Sequence, residues 1–467
     1  MMVNFTWFYL LLLASAASLF PTPPDNDDFY NPPSGYENQP NGAILKSRPV
    51  PHTITNLISS IKIEGAWQLL VKSEDSFNNP NAIVTTILKP FNADPEKVVS
   101  YQVYEDSASI QCSPSYALQS GSPINTLATS SEIYFIAALL NQGYYVNIPD
   151  YEGPKSAFCA AYQSGYAALN SIRAALASGE TTGISNMARS VLWGYSGGTI
   201  PSSMASVLIS SYSPDIVSNV IGVAVGGFVS NISATAEICD GKFCAGIISN
   251  ALGGLSNEYP AFKSFYDSQI NPLLLFNWNL KDKHCLLDSL IYYFNQHFIS
   301  GVFRYIRDSW ATINQEPIKT ILESNSLVYQ KQLVPKVPIF IYHGTIDQVV
   351  PFVNSFKTFN QWCEAGVESA EFAEDLTNGH ITETIVGAPA ALTWIIDRFN
   401  GVPPVKGCQH TQRLNNFLYP NIAPSILTYF KSAFDAITGM KLGGDVTKDQ
   451  ISIGALQGLI NLNFNHN

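Results

Sequence analysis

The stretch Val191-Leu192-Trp193-Gly194-Tyr195-Ser196-Gly197-Gly198 restricts the fold of this chain more than any other. A short apolar run enters a glycine-rich turn, and a helical segment opens at Thr199 and runs through Leu208. Glycines permit a tight turn with strained backbone angles, so Ser196 is expected to project from the end of a sheet. The next backbone N–H, that of Gly197, would then stand at a helix N-terminus, where negative charge is favoured. A G-x-S-x-G string arises by chance about 0.2 times in a chain of this length. The strand–turn–helix context is therefore what gives it meaning.

The surrounding pattern agrees. From about residue 97, β-rich runs alternate with helical ones. Strands are predicted at 98–104, 144–148, 191–193, 219–225, 337–342 and 371–376, and helices at 132–140, 160–177, 353–365 and 388–398. Such alternation predicts an α/β fold with a mostly parallel sheet covered on both faces. Residues 228–321 break the rhythm with Gly253-Gly254, an aromatic-rich stretch and a helical run near 286–298. They read as an inserted, mainly helical cap, which leaves 46–227 and 322–467 as the core.

A serine nucleophile needs a base, and the chain has seven histidines. In a fold of this kind the order is serine, acid, histidine, with the acid just past a later strand. Asp347 follows the run Val337–Tyr342, and His380 lies in a loop beyond the strand ending near Leu376. Both fall where strand C-termini gather. Ser196 would attack, His380 would shuttle the proton, and Asp347 would orient the imidazole and stabilise its charged form. Asp375 is an alternative orienting acid. His343 reads as a core or supporting residue, and His284 and His297 belong to the insertion. No HGGG run precedes the turn, so a second oxyanion donor must come from Glu105-Asp106-Ser107.

Composition narrows the class. The net charge of −11 gives no basic field to attract phosphate backbones, which argues against a nucleic-acid partner. Only 13% of residues are charged while 12% are aromatic, a balance suited to an apolar substrate. Residues 5–14 form a ten-residue apolar run ending in small residues. A helix of that length spans about 15 Å, half of a bilayer core of roughly 30 Å. Residues 1–18 are therefore expected to be a signal peptide, although no Lys or Arg precedes the run. Residues 19–45 read as an extended N-terminal arm. No later run predicts a transmembrane helix, and the polar C-terminus argues against a lipid anchor, so the protein is expected to be secreted and released. Seven cysteines without a CxxC pair suit disulfides rather than zinc. Cys239 and Cys244 can close a local loop, and one thiol should stay free. Asn231 opens a glycosylation sequon.

Several strings together resemble one family. Besides the turn at Ser196 they are Tyr104-Glu105-Asp106-Ser107, Gln111-Cys112-Ser113-Pro114-Ser115-Tyr116, and Gly143-Tyr144-Tyr145-Val146 leading to Asp150-Tyr151-Glu152-Gly153. Over roughly residues 85–410 the chain is similar to the secreted fungal lipases related to Candida antarctica lipase A, above all the Candida secreted lipases. The resemblance implies an α/β-hydrolase core with a helical cap and the triad Ser196, Asp347 and His380. It assigns the second oxyanion donor to Asp106, beside Gly197, and implies disulfides Cys112–Cys285 and Cys363–Cys408. It also implies a tail that contributes a flap over the site.

The expected activity is hydrolysis of triacylglycerols and other esters at a lipid–water interface, by a monomer, through an acyl-enzyme that releases free fatty acid. Triad and oxyanion hole supply the chemistry, so no metal or cofactor is called for. Alternatives are an acyltransferase, a serine carboxypeptidase-like hydrolase, or an inactive binding module.

Overall fold

In a computed structural model of the chain, residues 20–55 and 61–437 are described. The expected signal peptide and the last thirty positions of the tail lie outside them. The described residues form one ten-stranded sheet: β1 (Ile44–Pro49), β2 (Gly65–Glu74), β3 (Pro80–Lys89), β4 (Asp94–Gln102), β5 (Tyr144–Pro149), β6 (Arg189–Tyr195), β7 (Val220–Gly226), β8 (Ile339–Gly344), β9 (Ser369–Asp375) and β10 (Gly407–Arg413). Their order across the sheet is β1-β2-β3-β5-β4-β6-β7-β8-β9-β10. The first three strands pair antiparallel, and all from β5 to β10 pair parallel.

Alternation along the central strands sends successive side chains to opposite faces. Leu192, Val223, Val225, Ile339 and Ile341 join one buried cluster, with helices Ala161–Ala177 and Thr199–Tyr212. Val191, Trp193, Tyr195, Ala224, Phe340 and Tyr342 join the other, with helices Ile133–Leu140 and Ala388–Phe399. Strands buried on both faces read as continuous apolar runs, which is why they stood out in the sequence.

Three features differ from the sequence expectation. Strands β1 to β3 and the edge strand β10 were not anticipated. The run predicted at 98–104 leaves the sheet after Gln102. Residues 20–43, read as an extended arm, form short 3-10 turns, and Phe29 packs with Leu70, Ala82 and Val84. Between β7 and β8 the chain is helical, with Ile232–Cys239, Ala245–Glu258, Pro260–Gln269, Leu275–Trp278, Leu286–Tyr292 and Ile318–Ser324. At the other end, helix Pro424–Ile437 packs on helix His380–Val386.

Bridges join Cys112 to Cys285, Cys239 to Cys244 and Cys363 to Cys408, while Cys159 is a buried free thiol. The Cys112–Cys285 bridge spans 173 residues and ties the helical segment to the loop after β4. Closing so long a loop restricts the unfolded chain strongly. Replacing both cysteines by alanine should cost about 2–4 kcal/mol. Thermal melting under non-reducing conditions checks this, and an unchanged midpoint would contradict it.

Candidate active site

Ser196 sits on the turn between β6 and helix Thr199–Tyr212 with φ of +50°, a region that side chains other than glycine rarely adopt. Such strain costs on the order of 1–3 kcal/mol, and the surroundings hold it. A Cβ on Gly194 would lie 2.1 Å from the carbonyl oxygen of Gly198, and one on Gly198 would lie 2.0 Å from that of Gln102. The turn can therefore be this tight only with glycines there. Thr199 Oγ1 donates to the Ser196 carbonyl at 2.6 Å and accepts from the Val229 N–H at 3.0 Å.

From this turn a chain of hydrogen bonds runs outward. Ser196 Oγ lies 2.8 Å from His380 Nε2, and His380 Nδ1 lies 2.7 Å from Asp347 Oδ2. With Nδ1–H donating to the carboxylate, Nε2 is left as the acceptor facing the serine hydroxyl. Asp347 comes three residues after β8 and His380 five after β9, so the C-terminal edge of the sheet delivers both. The Tyr195 hydroxyl donates to the His380 carbonyl at 2.6 Å, and the His380 N–H donates to Gln348 Oε1 at 3.1 Å.

Asp347 is buried, which alone would raise its pKa. The electrostatic pull of the neighbouring His380 and hydrogen bonds from His343 and His380 outweigh this and hold the carboxyl well below the usual range. Its Oδ1 accepts from the N–H groups of Val349 and Val350, at 2.8 and 2.7 Å. His343 is fully buried beside it, with Nε2 3.2 Å from Oδ2. The Phe228 N–H donates to His343 Nδ1 at 3.2 Å, which leaves Nε2 to carry the proton toward Asp347 and the Val350 carbonyl. The sequence read His343 as a core or supporting residue, and it lies buried against the Asp347 carboxylate. Its contact with the carboxylate follows from β8 extending to Gly344, two residues beyond the predicted end.

The other candidates lie elsewhere. Asp375 accepts from the N–H groups of Thr377, Asn378 and Asn416, and so shapes the loop that carries His380. His284 packs against Tyr292 and Tyr293, and the exposed His297 meets Ser300. Asn231 caps helix Ile232–Cys239 through its Oδ1, and its Nδ2 donates to Asn354 Oδ1 at 3.2 Å.

The loop after β4 reaches the same place. Asp106 has φ of +49°, is buried, and presses against Gly197: a Cβ there would fall 1.6 Å from Asp106 Oδ1. That oxygen has no hydrogen-bond partner among the described residues. Burial raises the Asp106 pKa from 3.8 to about 7, against the opposing charge of His380. Glu105 and Glu152, both buried nearby, are raised well above the ordinary value by burial and then by neighbouring carboxyls. Burial likewise lifts Asp150 to about 7, although Ser115 donates to it twice. No sequence pattern signalled this group of neutral carboxyls.

Asp106, Ser196 and Gly197 line a small pocket of about 30 Å³. Its walls are apolar, with Cys159 and Ile200 from the core and Ile232, Ala236, Ile248 and Ala251 from the helical segment.

A mostly parallel sheet, helices on both faces and a strained serine at a strand–helix turn define an α/β-hydrolase. The sequence profile of the secretory lipases matches residues 118–407, and the chain belongs to that family. It is 54% identical over 453 residues to Lipase 4 of Candida albicans, covering 97% of this chain and 98% of the relative. Lipase 5 of the same organism is also 54% identical, with 95% and 96% covered. Among solved structures, Candida antarctica lipase A in its closed state superposes with a TM-score of 0.77 at 27% identity, covering 88% of this chain and 96% of that one. The rice cell wall degrading esterase LipA from Xanthomonas oryzae shares the fold, with a TM-score of 0.60 at 14% identity and coverage of 78% and 100%. The protein is an ester-hydrolysing lipase.

The neutral carboxyls give stability a direction with pH. Asp106 and Asp150 hold their protons up to about pH 7 when folded, against an ordinary value of 3.8. Between those values the folded chain binds more protons than the unfolded one, so stability falls as pH rises. Asp347 does not offset this, because its depressed carboxyl loses its contribution only on strong acidification. Melting should occur at a higher temperature at pH 5 than at pH 8, and the reverse order would contradict this assignment.

Proposed function

We propose that the protein is a secreted triacylglycerol lipase and carboxylesterase that works through an acyl-enzyme on Ser196. The observation that carries this reading is the unbroken relay from Ser196 Oγ through His380 to Asp347, 2.8 and 2.7 Å long, on a turn strained at the serine itself. Ser196 Oγ attacks the ester carbonyl carbon while His380 Nε2 takes its proton. Asp347, ionised, stabilises the imidazolium. The carbonyl oxygen, now negative, sits beside the Gly197 N–H and Asp106, where a carboxyl kept neutral by burial can donate a hydrogen bond. His380 returns the proton to the departing alkoxide, leaving the acyl group on Ser196. Water, deprotonated by His380, then releases the fatty acid.

Residues 228–321 act in this reading as a cap over the core, and their apolar side chains hold the acyl chain. Extracellular release is supported by the secretory family and by three disulfides in the structure. Among the described residues, no helix is long and apolar enough to cross a membrane.

Turnover of dissolved short esters and of emulsified long ones by Ser196→Ala tests the proposal. A fall in kcat of about 10³-fold or more is expected on both; comparable turnover by native and variant would sink it. Asp106 adds a pH signature. Above about pH 7 it ionises and sets a negative charge against the developing oxyanion. Native kcat should therefore fall toward pH 9 by about tenfold, while Asp106→Asn, although slower at its best, should stay flat. Identical profiles would remove the neutral carboxyl from the mechanism.

A further inference from the structure

The paired glycines Gly253-Gly254, which the relay at Ser196 does not use, lie on helix Ala245–Glu258 together with Gly246, Asn250 and Asn257. Steps of four, three, one and three residues place these five on one face of the helix. That face is pressed against two loops. A Cβ on Gly253 would lie 2.6 Å from the Ala108 Cβ, and one on Gly254 would lie 2.4 Å from the Phe158 backbone nitrogen. Asn257 Nδ2 donates to the Ala108 carbonyl at 3.1 Å. About two turns back along the same face, Asn250 Nδ2 donates to the Asp106 carbonyl at 2.6 Å. Ile247, Ile248 and Ala251 of this helix line the pocket at Ser196.

The amide of Asn250 has one way to sit. A carbonyl oxygen only accepts, so the nitrogen must face Asp106, and Oδ1 is left to accept from Ser289 Oγ at 2.6 Å. Asn250 and Ser289 are both fully buried. Ser289 belongs to helix Leu286–Tyr292, which crosses the first helix so closely that a Cβ on Gly246 would lie 2.2 Å from the Ser289 carbonyl oxygen. The residue held in this way is a strained one. Asp106 has φ of +49°, and a side chain keeps such a conformation only where its neighbours impose it. The helical segment grips the same loop at two further points: Ser107 Oγ donates to the His284 carbonyl at 2.9 Å, and Cys112 is bonded to Cys285.

We propose that Asn250, oriented by Ser289, is a positioning residue for the reaction: it holds Asp106 in the strained conformation that sets its carboxyl beside the substrate oxygen. The helical segment then completes the oxyanion site as well as walling the pocket. The proposal rests on the reading of Asp106 as an oxyanion donor. Asn250→Ala, Ser289→Ala, Asp106→Ala and the double variant of Asn250→Ala with Asp106→Ala are compared with the native full chain on dissolved p-nitrophenyl butyrate, with thermal melting as the check on folding. Losing an oxyanion donor costs about 10²–10³-fold in kcat, the fall expected of Asp106→Ala. Asn250→Ala should lower kcat by about tenfold or more and Ser289→Ala by about threefold, both with KM within about twofold of native. In the Asp106→Ala background, removing Asn250 should cost less than about twofold more, because its effect passes through a carboxyl that is no longer there. A merely structural residue would lower the melting temperature, and its effect on kcat would add to that of Asp106. Native kcat in Asn250→Ala, a change confined to KM, or additive losses would each overturn the proposal. Asp106→Ala as fast as native would sink the oxyanion reading and the proposal with it, whereas a slow Asp106→Ala beside a fast Asn250→Ala would sink the proposal alone. If Asn250→Ala does not fold, Ser289→Ala decides by the same measures, alone and paired with Asp106→Ala. Failure of both to fold would mark the pair as support for the fold and overturn the proposal.

Discussion

The site depends on how closely the ends of two neighbouring strands approach. β4 and β6 pair in the sheet, and where they leave it the turn at Ser196 lies directly against the start of the loop after β4. The gap between Gly198 and the Gln102 carbonyl, and that between Gly197 and Asp106, are too small for even a methyl group. That contact fixes the serine in its strained conformation and sets the Gly197 N–H beside Asp106. A side chain at either glycine would push Ser196 and the loop of Asp106 apart. Because the other parallel strands end at the same edge, Asp347 and His380 need only short loops to arrive there.

Around this contact the protein separates its carboxyl groups into two kinds. Asp347 is buried yet ionised, because two histidines and two backbone N–H groups face it. Asp106, Glu105 and Glu152 are buried with little positive charge near them, and their ionisation is pushed upward. One ionised acid behind the imidazole and a neutral one in front of the serine is a division compatible with the proposed acyl transfer, in which positive charge would develop at His380 and negative charge at the substrate oxygen. The disulfide from Cys112 to Cys285 holds the helical segment to the same loop, so the pocket wall and the loop of Asp106 are tied together.

The central sheet was legible in the sequence because strands β4 to β9 are buried on both faces and bounded by helices of ordinary length. The residues Ser196, Asp347 and His380 were legible for a related reason: their order and their places after strand ends are set by the fold. The antiparallel β1 to β3 were not, since their buried faces include Gln68, Lys72 and Thr85, whose polar groups are satisfied only by partners far along the chain or on neighbouring strands. The edge strand β10, Gly-Cys-Gln-His-Thr-Gln-Arg, is polar and largely exposed, with no periodic apolar signal. The neutral carboxyls were hidden for another reason. Protonation depends on burial and on neighbours brought from distant segments, and neither is written in local spacing.

The claim on which the account turns is that Ser196 forms a covalent bond to the reacting centre. A long-chain p-nitrophenyl phosphonate mimics the tetrahedral intermediate and stays on the nucleophile it meets, so intact mass followed by peptide mapping reads the answer directly. The account predicts one phosphonyl group per chain, on Ser196, with release of nitrophenol in step with loss of activity. Labelling on any other residue, or full loss of activity without a covalent adduct, would contradict it.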